Sequence, residues 1–181
     1  QPPYAPDGFP GTSLIVLRGD SAAGKTTVAG LVREAYGRGC ALVELDYLRR
    51  IVLGEATRPV QPHPPSFADS ALRLDAGYHV VCEGIMPAAR YGPVLEELVA
   101  DHLGRTSVWY LDVAFAESVR RHGTRRSPST VEDLRVVRHQ DLLGLPDEEI
   151  IPEHSTLTRT VELVTGRLPA PTVAAHPVRT T

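Results

Sequence analysis

Asparagine is absent from this 181-residue chain, and lysine occurs once, at position 25. Each shortage closes a class of function. Guanine-nucleotide switches read their base through an Asn-Lys-x-Asp motif or a close variant, and the chain has no asparagine to build one. A protein kinase needs a strand lysine apart from any phosphate loop, together with a His-Arg-Asp catalytic loop, and the chain has neither. Cysteine is scarce too. Cys40 and Cys82 cannot form a zinc site alone, and each borders an apolar run, so both read as buried free thiols rather than a disulfide. No apolar run reaches the roughly 20 residues of a membrane span. No basic-then-apolar leader is visible, and these features together point to the cytoplasm. A net charge of -3 offers no bulk attraction to nucleic acid or to an anionic membrane. The seven histidines are scattered without metal-ligand spacing.

What the chain does have is centred on that lysine. Lys25 lies in Gly19-Asp20-Ser21-Ala22-Ala23-Gly24-Lys25-Thr26, a complete GxxxxGK[ST] loop. Its glycines let successive backbone N–H groups turn inward around an anion. Lysine supplies a compact point charge that reaches between phosphates, and the Thr26 hydroxyl can ligate Mg2+. Leu14-Ile15-Val16-Leu17 reads as a buried strand entering the loop. Thr26, Thr27 and the apolar residues after them open a helix that leaves it. Residues 19–27 therefore predict a nucleoside triphosphate site, for ATP or GTP with Mg2+.

The rest of the chain alternates strands with helices. Residues 1–12, rich in Pro and Gly, read as an extended arm, 13–168 as one domain, and 169–181 as a tail. Strands are predicted over 14–18, 40–45, 78–82, 106–113 and 149–151. Helices are predicted over 26–36, 47–53, 67–76, 87–103, 115–122 and 130–143, with a last one capped by Ser155. The prolines between 58 and 65 exclude a continuing helix or an interior strand there. Such alternation implies an open parallel sheet covered on both faces, which binds its ligands at the carboxyl ends of the strands.

Two acids fall at such ends. Asp46 follows strand two, where it reads as the general base for an acceptor hydroxyl, an N-cap for the next helix, or both. Glu83 ends strand three. It reads as a group at the metal's water shell or at the acceptor, against a structural hydrogen bond. Arg120, Arg121, Arg125 and Arg126 flank Gly123 after strand four. They read as a mobile, arginine-bearing lid over about 120–130, against a solvated basic helix end. Arg121 and Arg125, one helical turn apart, are the preferred pair for catalysis, with Arg120 on the nucleotide. Tyr47, Arg49, Arg50 and Arg90 follow the acidic strand ends and are candidates for the acceptor side. Taken singly, each of those arginines also fits an ordinary surface position.

With these residues in view, the chain resembles the small P-loop kinases that include chloramphenicol phosphotransferase, tunicamycin-resistance-type ATP-binding proteins and zeta toxins. The resemblance spans about 14–164. It rests on the loop 19–27, on Val43-Glu44-Leu45-Asp46, on Val80-Val81-Cys82-Glu83-Gly84, and on Leu111-Asp112-Val113 running into the arginines. It implies a three-layer α/β/α P-loop NTPase fold with a five-stranded parallel sheet of order 2-3-1-4-5. It also implies Asp46 as the base and lid arginines on the phosphates. Two features depart from it: the proline-rich stretch 58–65 in the acceptor region, and Asp20 inside the loop.

The expected function is phosphorylation of a small-molecule hydroxyl, with an antibiotic as one acceptor class. No nucleic-acid or membrane partner is expected, and the protein would act as a monomer or homodimer. Nucleotidyl transfer to a similar acceptor and a zeta-toxin-like sugar-nucleotide kinase are the alternatives. A non-catalytic nucleotide-dependent regulator stands behind them.

Overall fold

The computed structural model describes residues 10–54, 71, 77–114, 117, 120 and 141–170. Five parallel strands form one sheet: β1 (Ser13–Gly19), β2 (Cys40–Glu44), β3 (His79–Glu83), β4 (Arg105–Asp112) and β5 (Glu148–Pro152). Their order is β2-β3-β1-β4-β5, as expected. Helix α1 (Lys25–Tyr36) follows β1, and a short α2 (Leu45–Tyr47) follows β2, continued by a π-helical turn over Leu48–Val52. Helix α3 (Ala88–Asp101) follows β3, and α4 (Leu157–Thr165) follows β5.

The centre of the sheet explains the order. Every residue of β1 is buried, and its side chains alternate between the two faces. Ile15 and Leu17 join Val28, Val32, Trp109 and Val164 beneath α1 and α4. Leu14 and Val16 join Val80, Cys82, Leu95 and Leu98 beneath α3. Each fully buried aliphatic side chain contributes about 1.5–3 kcal/mol, so the strand with two covered faces sits in the middle.

Register then brings the functional ends together. Leu17 pairs with Glu83, Glu44 with Glu83, and Gly19 with Leu111. Gly19 has a φ of 144°, and a Cβ there would lie 2.5 Å from the Leu111 carbonyl oxygen. Only glycine lets β1 leave the sheet so close to β4.

Several boundaries differ from expectation. Strand β2 ends at Glu44, because Leu45 turns inward as the first residue of α2 and packs against Gly84. Asp46 therefore sits inside a helical turn and does not cap it, since no side-chain cap bond forms at that N-terminus. Strand β3 starts at His79 and ends at Glu83, and β4 runs from Arg105 to Asp112. Thr156, not Ser155, caps α4, accepting from the Arg159 amide at 3.2 Å. Ser155 instead bonds the Thr160 hydroxyl at 2.9 Å. The helices expected over 67–76, 115–122 and 130–143, and the stretch 58–65, fall wholly or largely outside the described residues.

Candidate active site

The phosphate loop connects β1 to α1 over residues 20–24. Ala22 and Gly24 take positive φ values of 63° and 97°, which turn the chain sharply before the helix. No acidic residue occupies the first turn of α1, so the positive end of its dipole is uncancelled and its early N–H groups face the loop. Lys25 is buried, and its ammonium donates to the Asp20 carbonyl oxygen at 2.7 Å. Folded back in this way, its ammonium rests on the backbone of the loop itself. Asp20 is buried as well, and its Oδ1 accepts from the Tyr110 hydroxyl at 3.2 Å. Its carboxylate thus points into the sheet, which accounts for an acid inside an anion-binding loop.

Thr26 and Glu83 meet across the loop. The exposed Thr26 hydroxyl donates to Glu83 Oε1 at 2.9 Å. Burial raises the Glu83 carboxyl above its ordinary range. Lys25 and the Thr26 bond draw it back down, and Glu44 and Asp46 push it up again. A buried carboxylate only partly compensated by its neighbours, beside a hydroxyl, suits a hard cation. Among the described residues no group of three or more His, Cys, Asp or Glu side chains could cage a metal ion. Mg2+ takes one or two protein oxygens and completes its shell with phosphates and water. Thr26 and Glu83 are the residues that would hold it.

Asp46 stands on the neighbouring rim. Its side chain is 59% exposed and lies 3.8 Å from Arg50 Nη2, one helical turn on. Tyr47 beside it is exposed, and Arg49 is half-buried. Arg90, in the first turn of α3, lies over the Tyr91 ring at 5.6 Å. These residues lie on the connections and helices that leave the adjacent strands β2 and β3 at the carboxyl edge of the sheet, where Glu83 ends β3. Arg120 is exposed and pairs with Glu117 at 2.6 Å. Arg121 and Arg125 lie outside the described residues.

Two features escaped the sequence reading. The first is a cavity of about 270 Å³ on the α1 and α4 side of the loop, lined by Gly24, Thr27, Val113, Glu153 and Ser155 among others. It adjoins the phosphate loop and could take a flat ring system. Its walls come from three separated segments, so no local motif marks it. The second is Arg18, which is wholly buried at the end of β1. Its Nη1 donates to Glu148 Oε1 at 2.8 Å, and its Nη2 to Asp141 Oδ2 at 3.2 Å. Nε and Nη2 both reach the Met86 carbonyl oxygen, at 3.1 and 2.9 Å. A charged residue within an otherwise apolar central strand was the available signal, since such a charge must be paired.

Both cysteines are buried free thiols, as expected. Burial raises each, Cys40 to about 11 and Cys82 further.

No protein-family profile matches the sequence, and no curated protein does. Solved structures do. The chain is similar to the APS kinase CysC of Mycobacterium tuberculosis in complex with AMPPNP and APS, at 18% identity and a TM-score of 0.70, over 88% of this chain and 98% of that one. A gluconokinase from Sinorhizobium meliloti gives 16% identity and a TM-score of 0.60, over 88% and 93%. A sugar kinase from Janibacter gives 21% and 0.59, over 84% and 91%. At these identities the likeness establishes architecture alone, and the chain has a three-layer α/β/α P-loop NTPase fold.

Proposed function

We propose that the protein is an ATP-dependent phosphotransferase that moves the γ-phosphoryl group to a hydroxyl of a small molecule. One observation carries the reading: Lys25, Thr26 and Glu83 meet at the phosphate loop, with the exposed carboxylate of Asp46 on the adjoining rim. The kinase names of the structural neighbours support it.

In this reading the N–H groups of residues 19–27 cradle the phosphates. Lys25 exchanges the Asp20 carbonyl for phosphate oxygens. Mg2+, held by Thr26 and through Glu83, would offset charge on the phosphates. Asp46 accepts the acceptor's hydroxyl proton while the acceptor oxygen bonds to the γ-phosphorus and the β–γ bridge oxygen departs with ADP. Arg120, Arg121 and Arg125 are the candidates for charge on the transferring group, with Arg121 and Arg125 preferred. The cavity beside Thr27 and Glu153 takes the base, and GTP would use the same loop.

The acceptor side comprises Tyr47, Arg49, Arg50, Glu83 and Arg90, with the proline-rich 58–65 adjoining it in sequence. Prolines reduce the ordering cost on binding and suit a rigid, bulky natural product such as an antibiotic. The protein would act in the cytoplasm as a monomer or homodimer, without nucleic-acid or membrane partners. A coupled ADP-release assay against hydroxylated antibiotics, nucleosides and amino-sugar nucleotides tests the reading. Acceptor-dependent ADP release is expected. A protein that neither binds Mg·AMPPNP nor consumes ATP with any acceptor contradicts it.

A further inference from the structure

Among the described residues Arg18 is the largest buried charged side chain, and its contacts are not those of a simple core ion pair. Glu148, almost wholly buried, also accepts the Leu143 and Gly144 amides at 2.6 and 3.0 Å. Asp141 also accepts the Ala88 amide at 2.6 Å, with the same Oδ2 that meets Arg18. Arg18 lies 5.7 Å from the centroid of the Tyr110 ring, whose hydroxyl donates to Asp20. The Asp20 carbonyl in turn holds Lys25. One guanidinium therefore joins the β3–α3 connection to Asp141 and the start of β5, and stands beside the tyrosine that bonds Asp20.

The β3–α3 connection, residues 84–87, is held in a costly shape. Met86 is fully buried with a φ of 41°, a region that non-glycine residues rarely enter. Two donors of Arg18 converge on its carbonyl. Buried ion pairs seldom improve stability over apolar packing, so a cluster like this one needs another reason for its place.

We propose that Arg18 is a positioning residue for the acceptor edge of the site. By clamping the Met86 carbonyl and Asp141 together, it sets residues 84–87, and through them the direction of Glu83 and the first turn of α3 with Arg90. The planar fork of arginine suits this task, because it presents separate N–H groups to partners in different directions, which a lysine ammonium cannot reproduce. The inference rests on the reading of Glu83 and Arg90 as the acceptor side given above.

The test uses the full chain with Arg18→Lys and Asp141→Asn. Three quantities are read: Mg·AMPPNP affinity by calorimetry, hydrolysis of ATP with water as acceptor, and amide exchange at Gly84 and Ala88. Arg18→Lys keeps the charge but loses the fork. Exchange at Ala88 should quicken by about tenfold or more and hydrolysis should fall by about tenfold, with affinity within about threefold of wild type. Asp141→Asn accepts more weakly and should move exchange and hydrolysis the same way by about fivefold. Should Arg18→Lys not fold, Asp141→Asn decides by the same readings. Wild-type exchange and hydrolysis in the folded variants overturn the inference. So does a loss of affinity as large as the loss of hydrolysis, which would make the cluster a prop for the phosphate loop alone. A wild-type protein that binds no nucleotide would overturn the functional reading, while exchange at Ala88 would still decide whether Arg18 clamps the loop.

Discussion

Replacing Lys25 by methionine isolates one charge with little change of shape. The side chain is buried, and its ammonium makes a 2.7 Å bond to a neutral carbonyl. Without ligand, Lys25→Met loses that bond and the attraction to Glu83 but no longer buries a charge, and these effects should offset to within about 2 kcal/mol. The melting temperature should therefore move by only a few degrees. With ligand the balance differs. Each charge-assisted bond from the ammonium to a phosphate oxygen is worth about 1.5–3 kcal/mol, and reaching between phosphates makes two of them. Allowing for partial compensation by water, affinity should fall by about 3–4 kcal/mol, roughly 10²- to 10³-fold. Calorimetric titration with Mg·AMPPNP reads this directly. Lys25→Arg should recover little of the loss, because a forked guanidinium does not fit a loop built around a point charge. Since Lys25 is the chain's only lysine, amine acylation followed by mass spectrometry gives a second reading, in which bound nucleotide should protect it. A folded Lys25→Met protein that binds AMPPNP within threefold of wild type would refute the reasoning.

Three further outcomes follow from the geometry. Asp46→Asn should lower turnover by roughly 10²–10⁴ while leaving nucleotide affinity within a few-fold, and near-native turnover across a range of pH would remove Asp46 from catalysis. Glu83→Gln keeps an acceptor for the Thr26 hydroxyl but cannot ionise. Burial raises the folded-state Glu83 carboxyl above its unfolded value, so its contribution is fully present below the unfolded value and is lost as pH rises through the folded one. The variant's melting temperature should accordingly fall less than wild type's as pH rises above the ordinary glutamate range, while its turnover drops; parallel melting profiles would contradict the burial argument. Gly19→Ala combines a φ of 144° with a Cβ 2.5 Å from the Leu111 carbonyl. It should cost about 3 kcal/mol or more in denaturant unfolding, and a native midpoint would contradict the close approach of β1 to β4.

The phosphate loop was legible because its chemistry fixes residue types at fixed spacing, and the flanking apolar runs give the strand and helix that position it. The sheet order came from the family resemblance and agrees with the central, doubly covered β1. The end of β2 was read one residue late, because Leu45 satisfies both the alternation of a strand and the inward face of a new helix. Only Gly84, across the neighbouring connection, decides between them. The partners of Arg18 were illegible for a different reason, although its charge at the end of an apolar strand was visible. Its carboxylate partners lie 123 and 130 positions away, beyond any local pattern. The cavity beside the phosphate loop is assembled in the same way, from residues 23–28, 111–113 and 151–160.

The central claim is that the γ-phosphoryl group, and nothing larger, passes to the acceptor. The direct measurement runs the reaction in parallel with ATP labelled at the γ-phosphate and at the α-phosphate, and follows the acceptor by mass spectrometry. The account predicts that label reaches the product only from the γ position, with the product heavier by one phosphoryl group and ADP released. Label arriving from the α position, with a product heavier by a nucleotide, would contradict it and make the protein a nucleotidyltransferase.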